Sequence, residues 1–297
     1  MATRQAALKR MLMSGLLVLM LITPAHADNF LSRDLAVIGD AMKSVPEETK
    51  EMLRYPVDHS SEFLKYASSI GALILVDKPV TQFYQDHVEE PMKGFHLAEA
   101  PAPFDKAGSG GTDGWLVLGI GSTYLSGVLT NSTKTQKVGI AATKAIGYSL
   151  ILDQVALKTL AGRKRPSPSL SSGQTPSPFT SNPYDFFYSR DGEIVSSSPK
   201  ASSFASYHFT MWFSVAKVYQ RAYNNYWVPY SLATLGLASN IKGHRHWVSD
   251  MVAGAMLGTL IGNSIANQTF SDNGSASEIS LTAPPNGEPG LEIVYRF

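Results

Sequence analysis

The stretch His246-Trp247-Val248-Ser249-Asp250-Met251-Val252-Ala253-Gly254 decides how the rest of the chain is read. It opens an apolar run that carries on to Ala266 and predicts a helix over 249–266. Gly254, Gly258 and Gly262 recur four apart, so one helix face lacks side chains and a neighbouring helix can come close. The same spacing occurs in packed membrane helices, but the apolar part from Met251 to Gly262 is short for a span. A buried helix of a bundle is the preferred reading, with membrane insertion as the alternative. His246 and Asp250, four apart, fall on one face or across the first turn, where a carboxylate can fix the tautomer of an imidazole.

Upstream, Ala205–Tyr223 and Val228–Ser239 read as two more helices, and Trp115–Thr130 and Lys137–Ala161 as two strongly apolar ones. Arg165-Pro166 is expected to end the last of these, because proline cannot continue the ladder and restrains the residue before it. Lys158 and Arg165 are seven apart, about two turns, so both cations are expected on one helix face. The segment 167–203, rich in Ser, Pro and aromatic residues, reads as a long loop with a lid or substrate-contact role. Ser61–Leu75 and Lys78–Glu90 read as amphipathic packing helices.

Residues 1–27 pass from a basic stretch through an apolar one to small residues at Ala25 and Ala27, which predicts a secretory signal peptide cut after Ala27 and a periplasmic, exported protein. Residues 28–113 are expected to hold packing helices, 114–267 the catalytic helical core, and 268–297 a polar tail. There Leu291, Ile293, Tyr295 and Phe297 alternate as in a strand. The chain of 297 residues has no cysteine, which excludes disulfides, and a formal charge of +1, which leaves no field to gather nucleic acid. Mean hydropathy of −0.05 argues against a chain made mostly of membrane spans.

Three ordered segments carry the chemistry: Lys158-x6-Arg165-Pro166, Ser206-Tyr207-His208, and Ser239-Asn240-x5-His246-x3-Asp250. Two cations, a hydroxyl, two imidazoles and a carboxylate can hold a phosphate, attack it and protonate its leaving group. Of the seven histidines only His244 and His246 are closely spaced, so no zinc set is read, and no cofactor is expected.

These segments resemble the type 2 phosphatidic acid phosphatase family, which shares its scaffold with bacterial acid phosphatases and vanadium haloperoxidases. The resemblance runs over roughly residues 112–267 and includes the flank Trp247-x-Ser249-Asp250-x3-Gly254. It implies an all-α helical bundle with a long Ser/Pro-rich active-site loop. It further implies His246 as nucleophile, His208 as general acid, Asp250 as partner of His246, and Lys158, Arg165, Ser206, Tyr207 and Asn240 as the phosphate-binding positions. The implied activity is metal-independent hydrolysis of phosphomonoesters, lipid phosphates such as phosphatidic acid among them, with contact to a membrane surface.

Three positions depart from the family pattern: Ala205 and Tyr207 stand where proline and glycine are usual, and Asn240 where an arginine follows the serine. Lys242 and Arg245 are nearby cations that could compensate. The alternatives, in order, are a catalytically degenerate phosphate- or lipid-binding member and a vanadium-dependent haloperoxidase.

Overall fold

The computed structural model describes residues 27–106, 112–193, 195, 198–239, 241, 245–270, 279–282 and 292–295. The expected signal peptide lies almost wholly outside these residues, as do Asn240, Lys242 and His244.

The N-terminal part forms helices α1 (Ala27–Lys43), α2 (Val45–Asp58), α3 (Ser60–Leu75) and α4 (Asp77–Tyr84), the last continuing as a π-helical turn over Gln85–Glu89. The core is built from α5 (Asp113–Leu129), α6 (Thr133–Ser149), α7 (Lys158–Ala161), α8 (Tyr207–Tyr223), α9 (Trp227–Ala238) and α10 (Val248–Phe270). Between α6 and α7 the helix widens into π-helical turns over Leu150–Leu157, closed by the Lys158 N–H donating to the Asp153 carbonyl. Two strands, β1 (Ile279–Thr282) and β2 (Glu292–Tyr295), pair antiparallel with Ile279 opposite Tyr295. The all-α bundle expected from the apolar periodicity is the fold observed.

Local chemistry sets the helix ends. Ser132 caps α6 by accepting the Thr135 N–H at 3.3 Å. The N-terminus of α10 is capped from another helix: Thr81 Oγ1 accepts the Val248 N–H at 3.0 Å and Asp77 Oδ1 the Ser249 N–H at 3.1 Å, from one face of α4. The expectation of α4 as a packing helix is therefore too modest, because it fixes the first turn of the helix that follows His246.

The core sits where α8 meets α10, α6 and α9. Val218, Ile261, Ile265, Ala141 and Ala145 are wholly buried there, with Met211, Trp212 and Val215 around them. The glycine ladder explains how α8 and α10 pack so closely. A Cβ at Gly254, Gly258 or Gly262 would run into the backbone carbonyls of Ser206, Thr210 and Ser214 respectively. Two helices, Thr133–Ala161 and Val248–Phe270, are long and apolar enough to cross a membrane. More than half of the second one's apolar stretch is buried inside the bundle (56%).

One expectation fails. The helix carrying Lys158 does not reach Arg165 but stops at Ala161, where Gly162 turns left-handed at φ 49°. A side chain at Gly162 would strike the Tyr188 carbonyl, so glycine alone fits both the angle and the space. Beyond it, residues 163–167 run as a strip held inside the long loop. Phe187 and Tyr188 donate their N–H groups to the carbonyls of Ala161 and Gly162, Lys164 donates to Asp185, Arg165 to Pro199, Ser167 to Thr180, and Ser203 to Arg163. The loop thus wraps both edges of the strip that bears the second cation.

Candidate active site

Arg165 comes near enough for its charge to act on Lys158 by a turn out of the helix and not along one face of it. Lys158 is 2% exposed and donates to Gln154 Oε1 at 2.6 Å, its ammonium 5.9 Å from the centre of the Tyr207 ring. Burial pulls its pKa down to about 8, an effect the neighbouring Asp153 carboxylate opposes and Arg165 and Arg190 reinforce. Arg165 Nε donates to Ser202 Oγ at 3.2 Å, and burial lowers its guanidinium to about 10 against the pull of Asp250. Asp153 is fully buried below this pair. Its Oδ2 accepts from Thr210 Oγ1 at 2.9 Å, and burial raises its pKa to about 6 despite Lys158.

Ser206 and Tyr207 begin α8. Ser206 is buried, its N–H donates to the Asp250 carbonyl at 3.0 Å, and its Oγ has no hydrogen-bond partner among the described residues. Tyr207 takes helical backbone angles as the first residue of a 17-residue helix, so the missing glycine creates no positive φ. Its N–H belongs to the first turn, where backbone donors and the helix dipole favour an anion. Burial raises the Tyr207 phenol, which keeps it neutral. His208 follows, its Nε2 3.4 Å from Asp113 Oδ2, with 24% of its side chain exposed.

His246 is buried, its side chain 1% exposed, with Nδ1 3.6 Å from Asp250 Oδ2. Asp250 is committed more tightly elsewhere. It accepts Ser203 Oγ at 2.5 Å and the Trp247 N–H at 3.0 Å on Oδ2, and Arg163 Nη1 at 2.6 Å on Oδ1. The expectation of Asp250 as a partner of His246 alone is thus extended: the carboxylate also caps α10 and anchors the loop.

Arg163, which the sequence offers only as one member of a basic run, is the hub. Fully buried, it donates to Asp250, to Ser249 Oγ at 2.7 Å, to Asp77 Oδ2 at 2.8 Å and to the Pro183 carbonyl at 2.6 and 3.1 Å. Its guanidinium lies over Phe186 at 4.7 Å and Trp247 at 5.2 Å. Ser249 closes the network by donating to Asp77. Burial raises the pKa of Asp77, while Ser249 and Arg163 counter it. The left-handed Gly162 just before Arg163 was the available signal that this cation turns inward.

Asn240 lies outside the described residues, as does Lys242. Arg245 is exposed and stacks on Phe179 at 5.4 Å, with Arg165 in its field. Among the described residues no group of three or more His, Cys, Asp or Glu is placed to hold a metal ion.

No curated protein and no solved structure matches the chain. Residues 138–273 match the family model described as the PAP2 superfamily, a span that holds both histidines, both cations and the glycine ladder. The match supports a phosphatase-type activity in general. The order of the three motifs and the helical frame that carries them agree with that match to the PAP2 superfamily over residues 138–273.

Proposed function

We propose that the chain hydrolyses phosphomonoesters through a phosphohistidine at His246. The observation that carries the reading is convergence on Asp250. Its carboxylate is 3.6 Å from His246, its carbonyl holds Ser206, and its field reaches Lys158 and Arg165. With Nδ1 turned towards Asp250, Nε2 is the atom that attacks phosphorus. The N–P bond forms as the P–O bond to the alcohol breaks, and His208 gives its proton to the leaving oxygen. Water then attacks the phosphohistidine, losing a proton to His208. The N–P bond breaks and inorganic phosphate leaves. Lys158, Arg165, Ser206 Oγ and the Tyr207 N–H hold the non-bridging oxygens, so that side-chain charge serves where other phosphatases use a metal. The more exposed His208 suits the mouth of the site and the buried His246 its floor.

A lipid phosphate is the substrate favoured. A cavity of about 600 Å³ lined by Trp115, Leu116, Ile120, Trp212, Val215 and Leu232, among others, runs between α5, α8 and α9. It reaches Thr112, next to Asp113, and Trp212, one turn beyond His208. Val228 and Leu232 line it and are also exposed, beside an 84% exposed Trp227, so it adjoins an apolar surface suited to a bilayer. The basic-then-apolar N-terminal stretch supports export to the periplasm.

The test is phosphate release from phosphatidic acid and from a soluble aryl phosphate in chelator, with His246→Ala alongside. Turnover of either ester that vanishes in the variant is expected. Turnover retained by a folded His246→Ala would overturn the covalent route. Phosphate binding without turnover in the wild type would favour the degenerate reading instead.

A further inference from the structure

Arg190, in the long loop, belongs to none of the three motifs, yet it is built into the same site. It is 9% exposed and is moored by one nitrogen: Nη1 donates to the Gln154 carbonyl at 2.7 Å and to Thr159 Oγ1 at 3.1 Å. Gln154 is also the residue whose side chain receives the Lys158 ammonium. Gln154 thus links the two cations, and the charge of Arg190 helps to lower the pKa of Lys158.

The rest of the guanidinium is unspent. Nε and Nη2 are both buried, and neither has a hydrogen-bond partner among the described residues. Buried donors without acceptors are uncommon, and two on one side chain call for a ligand. These two N–H groups share one edge of the planar fork, the edge that grips two oxygens of a phosphate in parallel. A cavity of about 50 Å³ is lined by Arg190 with Ser198, Lys200 and Ala201, next to the Pro199 whose carbonyl holds the Arg165 N–H. The acidic residues around that cavity do not occupy the edge. Asp191 is paired with Lys200 at 2.8 Å, and Glu193 favours the charged form of Arg190 without bonding to Nε or Nη2.

We propose that Arg190 is a third phosphate-binding cation, moored by Nη1 and presenting Nε and Nη2 to two oxygens of the substrate phosphate beside Lys158. The proposal rests on the phosphatase reading and deepens it. The loop then has a defined task, because it carries part of the anion site as well as covering it. It also gives the chain a cation that compensates for Asn240 from a different part of the sequence.

The experiment is calorimetric titration of inorganic phosphate into the full chain, comparing wild type with Arg190→Gln and Arg190→Lys, with steady-state kinetics on an aryl phosphate. Glutamine is neutral and ends at the position of Nε, two bonds short of Nη1, so it removes the charged edge, while lysine is longer and keeps a charge. Phosphate affinity is expected to fall about ten- to a hundredfold in Arg190→Gln, the range that follows from losing a charged hydrogen bond. Arg190→Lys, which keeps the charge without the two-donor edge, is expected to lose about tenfold on the same scale, with KM rising more than kcat falls. Unchanged phosphate affinity in folded Arg190→Gln overturns the role of Arg190 alone. Should that variant not fold, unchanged affinity in Arg190→Lys does the same. A wild type that binds no phosphate overturns the phosphatase site, and the role of Arg190 with it.

Discussion

Replacing Arg163 by methionine tests the architecture of the site at its centre. The guanidinium is fully buried and pairs with two fully buried carboxylates, Asp77 and Asp250. Methionine fills much of the volume but strands both acids and leaves the Pro183 carbonyl without its donors. Breaking a buried ion pair by removing one partner costs about 3–5 kcal/mol. Here one substitution unbalances two acids, so the upper end of that range is the expectation. For a domain of this size, about 5 kcal/mol corresponds to a fall in Tm of about 10–20 °C. It is also a large share of a total stability of about 5–15 kcal/mol. Arg163→Lys keeps one charge and cannot span both acids, so it should lie between methionine and wild type. Thermal melts by circular dichroism, with urea midpoints as a second measure, give the comparison. A melting temperature for Arg163→Met within about 3 °C of wild type, or about 1 kcal/mol by the same scaling, would refute the claim that this arginine holds α4, α10 and the loop together.

Gly258→Ala should destabilise by about 1–3 kcal/mol, because the new methyl meets the Thr210 carbonyl at the α8–α10 crossing; a urea titration measures it. Asp153→Asn should move the alkaline loss of phosphate affinity to lower pH. The Asp153 carboxylate opposes the burial that already holds Lys158 at about 8, so without it the ammonium deprotonates sooner; KM against pH reads the shift. Gly119→Phe projects a ring into the large cavity from a position whose Cβ has open space. It should raise KM for a long-chain phosphate by about tenfold for every two methylenes displaced, at about 0.8 kcal/mol each, and leave an aryl phosphate within about twofold.

The helices were legible because their signals are local. The apolar run from Met251, the glycines at 254, 258 and 262, and the breaks around Ser132 and Asn224 each mark a boundary within a few residues of where it falls. The motif order pointed to His208, His246, Lys158 and Arg165 as one site for the same reason. What escaped was the set of partners brought in by tertiary contact. Asp77 lies 172 positions from Ser249, and no spacing rule joins them. In Arg163-Lys164-Arg165 three adjacent cations look alike, yet one is a buried hub and another reaches Ser202. Only the turn at Gly162 distinguishes them, and counting Lys158 and Arg165 along one helix face passed over it.

The wide turns over Leu150–Leu157 act as a phase adjuster for the helix that carries Lys158. In an ordinary α-helix, residues five apart point about 140° away from each other, since each residue advances the helix by about 100°. The hydrogen bond from the Lys158 N–H back to the Asp153 carbonyl instead brings such a pair round towards the same side, so the carboxylate's field reaches the ammonium. The orientation of the cation is thereby uncoupled from the face with which α6 packs on α8. Within these eight residues length is a stricter requirement than composition. Deleting one of them would leave the helix apolar and nearly as long, yet swing Lys158 about 100° away from its present direction.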